Sequence, residues 1–171
     1  MSSFLSPTDV DLCTDRLVLR PWSGDDVTAV LHGTRLAHWA EDFPAEGDRV
    51  IAGLLAEHPE WLGTYGHRLV VERHGGRVIG SAGLFWPPTQ GALEIGYGIV
   101  ATRRGHGYAA EATRALTEFA LTAPEVHTVL ATVETTNPAS VRVLHKAGFR
   151  QVGTEEGMAR YRFPAEGPTQ P

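Results

Sequence analysis

The chain has 171 residues, enough for one domain with a real core, since about 150 residues already bury roughly 68–70% of the unfolded surface. Its 42% hydrophobic and 20% charged content exclude a disordered or fibrous chain. Fifteen Lys and Arg against twenty Asp and Glu leave a net charge of −5, which argues against a nucleic-acid partner and mildly favours a cationic small substrate.

Cys13 stands alone, so no intramolecular disulfide and no cysteine zinc cluster can form. The N-terminus MSSFLSPTDVDLC lacks the basic start and apolar stretch of a signal peptide. The longest apolar runs, such as Val50 to Ala56, fall well short of the ~20 residues of a membrane span. A cytoplasmic protein without a membrane partner is expected.

Arg16 to Arg20 alternates polar and apolar residues and stops at Pro21, which predicts a first strand. A short helix opening at Ser23 or Asp25 follows, with Val27, Val30 and Leu31 on one face. After the loop LAHWAEDFPAEG, apolar spacing predicts a second helix from about Asp48 to Glu60. The period then changes. His67 to Glu72 and Arg77 to Phe85 read as strands joined across His74-Gly75-Gly76, and Ala92 to Val100 as a third. Ala112, Ala115, Leu116, Phe119 and Ala120 mark an amphipathic helix, and Val126 to Val133 a strand buried on both faces. A helix from Pro138 to Ala147, stopped by Gly148, and strands near Phe149 to Val152 and Met158 to Phe163 complete the series. This order predicts a mixed α/β, three-layer domain over residues 1–163, with a disordered Pro- and Gly-rich tail over 164–171.

Between the strand ending at Val100 and the helix starting near Tyr108 lies ATRRGHGYA. A glycine-rich turn entering a helix offers unpaired N–H groups and the positive end of the helix dipole, an anion site suited to a diphosphate. Gly105 and Gly107 permit close approach, and Arg103 and Arg104 add charge. The NTPase phosphate loop is excluded because Tyr108-Ala109, not Lys-Ser/Thr, follows Gly107; the dinucleotide fingerprint is excluded because its third glycine is missing.

Arg104-Gly105-His106-Gly107-Tyr108-Ala109 resembles the acetyl-CoA signature of the GNAT superfamily of N-acetyltransferases. The wider stretch EIGYGIVATRRGHGYAAEA is similar to the branch of ribosomal-protein N-terminal (serine/alanine) acetyltransferases. Thr14 to Pro21 resembles that branch's opening strand, and Asn137 to Phe149 its Asn-x-x-Ser helix ending in Lys-x-Gly-Phe. The resemblance implies a mostly antiparallel central sheet with helices on both faces. The strand Glu94–Val100 would carry a bulge and splay from Leu130–Val133 to admit pantetheine.

The resemblance further implies that the backbone of Ile99, Val100 and Ala101 holds pantetheine, and that the N–H groups of Arg104 to Ala109 (Gly105, His106, Gly107 and Tyr108 between them) hold the pyrophosphate of the co-substrate acetyl-CoA. Asn137 is an N-cap before Pro138 that would also contact pantetheine, and Ser140 would sit near the CoA sulfur. The tyrosine acid common in the family is replaced by Leu144, so Ser140 or a water would take that role. Glu134 and Glu94 are the candidate bases for an amine that must lose a proton before attack. His38, Trp39, Phe43, Trp61 and Trp86 are candidates for an aromatic acceptor floor, with Glu41 and Asp42 drawing in a cationic amine. The acceptor is then a peptide N-terminus or a small-molecule amine, attacked in a ternary complex; a non-catalytic acyl-CoA-sensing module is the alternative. No metal is expected, since no His pair has helical i, i+4 spacing with a carboxylate partner. A homodimer is left open.

Overall fold

The computed structural model describes residues 11–164; the expected tail lies, beyond Pro164, outside them. The strands are β1 (Leu12–Cys13), β2 (Leu17–Pro21), β3 (His67–Glu72), β4 (Val78–Leu84), β5 (Ala92–Ile99), β6 (Thr128–Glu134), β7 (Arg150–Glu155) and β8 (Met158–Phe163). The helices are α1 (Gly24–His32), α2 (Glu46–Glu57), α3 (Tyr108–Ala120) and α4 (Pro138–Lys146).

Where boundaries depart from expectation, local hydrogen bonding explains it. Helix α2 starts two residues before Asp48 because the Asp48 carboxylate turns back to accept the Ala45 N–H at 2.9 Å. It ends at Glu57 because Pro59 disfavours helix at His58, and a 3-10 turn, Pro59–Leu62, takes over. Strand β6 starts only at Thr128, since the N–H groups of His127 and Thr128 both go to the Gly91 carbonyl. Phe149 is buried, and its N–H closes α4 by donating to the Leu144 carbonyl at 2.9 Å, so β7 begins one residue later.

The strands form one eight-stranded sheet in the order β1-β2-β3-β4-β5-β6-β8-β7. Every neighbouring pair is antiparallel except β5 and β6, which run parallel and pair only over Ala92–Glu94 with Thr128–Leu130. Past Glu94 the two strands part, which is the splay. The bulge expected in β5 is absent: its register with β4 runs unbroken from Gly80 opposite Ile99 to Leu84 opposite Ile95. The register shifts sit instead between β3 and β4, at Val70/Val71, and between β7 and β8, at Gln151/Gly153.

Strand alternation assigns the faces. Ile99, Tyr97 and Ile95 stand opposite Gly80, Ala82 and Leu84, on the face covered by α3 and α4. Ser81 stands opposite Gly98 on the other face, where its hydroxyl donates to the Asp48 carboxylate of α2 at 2.6 Å. Leu17, Leu19, Leu69, Ile79, Leu84, Leu93, Leu116 and Leu144 are fully buried in the core, each stabilising the fold by about 1.5–3 kcal/mol.

Candidate active site

A cavity of about 430 Å³ opens where β5 and β6 part, between the end of β5, the glycine turn and α4. Ile99 and, from the turn, Arg104, Gly105 and Gly107 contribute to its wall. Tyr108 and Ala109 come from the first turn of α3, and Asn137 and Ser140 from α4. These predicted residues, separated by up to 41 positions, meet because α3 and α4 lie side by side on one face of the sheet.

The turn is built to receive an anion. Gly105 and Gly107 sit at φ 82° and 80°, where a side chain would be strained. Gly107 caps α3 with no side-chain hydrogen bond to the first-turn N–H groups. Arg104 is fixed by its Nε donating to the Ile99 carbonyl at 3.0 Å. Arg103 stands on the cavity rim, but its guanidinium is engaged by Glu72 at 3.3 Å and Glu41 at 3.4 Å rather than left for phosphate.

Three expected contributors do not line the cavity. Val100 is buried, with its N–H given to the Ile79 carbonyl at 2.9 Å, so that N–H is not free to hold pantetheine. Ala101 opens an exposed 3-10 turn, and exposed His106 leans on the Tyr108 ring.

The structure also brings in residues that the sequence did not single out. Arg142, Val143 and Lys146 line the cavity with Ala139, an i, i+3, i+4, i+7 stripe along α4. That helical spacing was the available signal. Arg16 reaches the turn from β2's approach: its Nη2 is 3.5 Å from where a Cβ on Gly107 would stand, and its guanidinium lies 4.5 Å from the Tyr108 ring centre. Glu111 pins it there by an ion pair at 2.8 Å. Tyr97 enters from β5, its hydroxyl 2.7 Å from Ser140 Oγ. Burial pushes that phenol above its ordinary range, against the opposing pull of the Ser140 hydrogen bond.

Asn137 caps α4 as expected, its Oδ1 accepting the Ser140 N–H at 3.2 Å. Leu144, in the family's tyrosine position, is fully buried. Glu94 and Glu134 are exposed and do not line the cavity. Glu94 pairs in register with Leu130, so alternation puts Glu94, Gly96 and Gly98, with Leu130, Thr132 and Glu134, on the α2 face.

The predicted acceptor residues scatter. Trp39 and Phe43 are 3% and 1% exposed and pack edge-to-face at 5.2 Å, so they belong to the core and offer no floor to a ligand. The His38 carbonyl accepts the Val78 N–H at 2.9 Å, and half-buried His38 fixes the loop to the sheet. Asp42 accepts the N–H and hydroxyl of Thr102 at 2.9 and 2.8 Å. Burial would raise its carboxyl, but those two donors, with its own backbone N–H and nearby Arg103, together outweigh burial and hold it below the usual range. Trp61 and Trp86 are half-buried; the Trp61 indole donates to the Trp86 carbonyl at 2.7 Å, and Trp86 stacks on Tyr65 at 4.9 Å. Among the described residues, no group of three or more His, Cys, Asp or Glu is placed to hold a metal, and no helix is long and apolar enough to cross a membrane.

The profile of the acetyltransferase (GNAT) domain matches residues 16–150, most of the chain. The chain belongs to the GNAT acetyltransferase family. It is 36% identical over 94 residues to the probable N-acetyltransferase YjcK of Bacillus subtilis (strain 168), a match covering 53% of this chain and 49% of that protein. The chain thus matches about half the length of that curated relative. A candidate ribosomal-protein-serine acetyltransferase from Vibrio cholerae superposes with a TM-score of 0.66 at 19% identity, over 93% of this chain and 99% of that one. RimJ of Mycobacterium smegmatis, solved in complex with CoA-disulfide, gives 0.58 at 21% identity, over 86% and 81%. Both likenesses concern the fold.

The family uses acetyl-CoA, and the residues present suit it. A φ-positive glycine turn with uncapped N–H groups faces Arg16, Arg104, Arg142 and Lys146, a set matched to a diphosphate. The cavity lining extends from that turn to Ser140.

Proposed function

We propose that the protein transfers an acetyl group from acetyl-CoA to a primary amine, a peptide N-terminus or a small-molecule amine, by direct attack in a ternary complex. The observation that carries this reading is the parting of β5 and β6 past Glu94 and Leu130. Acetyl-CoA enters from the α3/α4 face, its diphosphate at Arg104–Ala109 and its thioester beside Ser140. The amine arrives from the α2 face, where Glu134 and Glu94 project. One of these carboxylates, directly or through one water, takes the amine's proton; the nitrogen attacks the thioester carbon and the C–S electron pair passes to sulfur. A lysine-like amine has a pKa of ~10.4, so the base is needed at neutral pH. The reaction suits a cytoplasmic enzyme supplied with acetyl-CoA.

Calorimetry with acetyl-CoA, followed by thiol release across peptide α-amines, polyamines and amino acids, tests the reading. Binding together with CoA release from at least one amine is expected. Binding without release from any amine would mark an acyl-CoA sensor. No binding would overturn the assignment.

A further inference from the structure

Tyr97 and Ser140 come from opposite walls of the cavity, one from β5 and one from α4. The hydroxyl oxygens lie 2.7 Å apart, and the Ser140 carbonyl stands 3.2 Å from the phenol oxygen as a second, longer acceptor for its single hydrogen. Ser140 has its own N–H fixed by Asn137 Oδ1 at 3.2 Å. The serine is therefore held from two sides, by a cap below and a phenol across the gap. We propose that Tyr97 is a positioning residue that donates its phenolic hydrogen to Ser140 Oγ and so leaves the Ser140 hydrogen free to point into the cavity at the sulfur of the bound thioester.

A hydroxyl has one hydrogen and two acceptor lone pairs. With Tyr97 as donor, Ser140 Oγ is supplied with an acceptor role and its own O–H must look elsewhere. The cavity is the open direction, since Ser140 lines it. As the C–S bond breaks and its electron pair moves to sulfur, the Ser140 O–H donates to the developing thiolate. The proton lost by the amine leaves through the base to water, and the thiolate is protonated from water after departure. No net proton passes through Tyr97. Burial keeps its phenol in the protonated, donating form, which the arrangement requires at neutral pH. Leu144 is fully buried, so the tyrosine expected from α4 has no counterpart there. A tyrosine from β5 supports the sulfur instead, through the serine.

This inference rests on the acetyl-CoA reading, and the experiment separates the two. Free CoA is bound to the wild type, Tyr97→Phe and Ser140→Ala, and the thiolate absorbance is followed against pH. A hydrogen bond to the charged form lowers a pKa, so bound CoA should titrate lower in the wild type than in Tyr97→Phe, by about one unit. Ser140→Ala should shift it at least as far, and the double variant no further than Ser140→Ala alone. Affinity for CoA should stay within about threefold in Tyr97→Phe, while kcat with any productive amine falls about tenfold at unchanged KM. Equal thiol titration in the wild type and Tyr97→Phe would overturn the positioning role while leaving the acetyl-CoA reading intact. Failure of the wild type to bind CoA overturns both.

Discussion

The two faces of the parted strands are built on different principles. On the α3/α4 face, the predicted ligands converge because they are mostly backbone and turn: glycines at positive φ, a helix start, and the α4 cap Asn137 with the Ser140 it holds. On the α2 face, the polar and aromatic side chains between α1 and α2 are spent on holding the loop itself. Asp42 staples Thr102, Glu41 pairs with Arg103, and Trp39 and Phe43 fill the core. A site made of backbone geometry is marked in the sequence by its glycines. An acceptor site made of side chains does not announce itself, because the same residue types stabilise folds.

Phe43→Ala is the most forceful way to break this contrast. As a core residue, Phe43 should cost about 3–5 kcal/mol of stability when truncated, measured by denaturant unfolding, with KM for any productive amine unchanged in the folded fraction. A raised amine KM at undiminished stability would return Phe43 to the acceptor floor.

His67 sharpens the same division by pH. Buried beside Trp61 and Phe85, with burial pushing its imidazole down to about 4, it is neutral in the fold. The unfolded chain, where a free imidazole titrates near 6.5, therefore binds more protons between these limits. Stability should fall as pH drops from about 6.5 to about 4, by roughly 3 kcal/mol in all. His67→Phe should flatten that slope in unfolding curves taken across the window. An unchanged slope would mean that His67 finds a partner for its charge.

Gly107→Val probes the backbone-built side. Valine at φ 80° carries a strain of about 1–2 kcal/mol and sets a branched side chain 3.5 Å from the Arg16 guanidinium. Acetyl-CoA affinity should drop at least about 100-fold, about 2.7 kcal/mol, well beyond the stability change. Affinity within a few-fold of wild type in calorimetry would remove the turn from the binding site.

This contrast also explains what the sequence could convey. The glycine turn was legible because φ-positive glycines before a helix have few other uses. Asn137-Pro138 was legible because cap chemistry is local. The order of strands and helices followed from periodicity. Tyr97 escaped because its partner is 43 positions away, and strand alternation alone cannot say which α-helix faces it. Trp39 and Phe43 read as floor candidates for the opposite reason: an aromatic next to acids looks the same in a core loop and in a binding floor until burial is known. Val100 was overextended because a neighbouring strand's claim on one N–H is a tertiary fact.

The smallest effect tests whether the α2-face loop is structure alone. Asp42 makes two hydrogen bonds to Thr102, one residue past Ala101 and close to the end of β5. If the loop merely fastens the fold, Asp42→Asn retains one acceptor oxygen and loses the charge, costing about 1 kcal/mol in unfolding with acetyl-CoA affinity unchanged. If the staple also sets the angle of the 3-10 turn Ala101–Arg103, the cost moves to binding, because that turn feeds Arg104 and the glycines. The Arg104 Nε bond to the Ile99 carbonyl bypasses Thr102 and fixes the turn from the strand side. With the Arg103 pairs to Glu72 and Glu41, that tether is why the stability loss should dominate: several attachments hold the turn, and removing the Asp42 one leaves its N–H groups where β5 puts them.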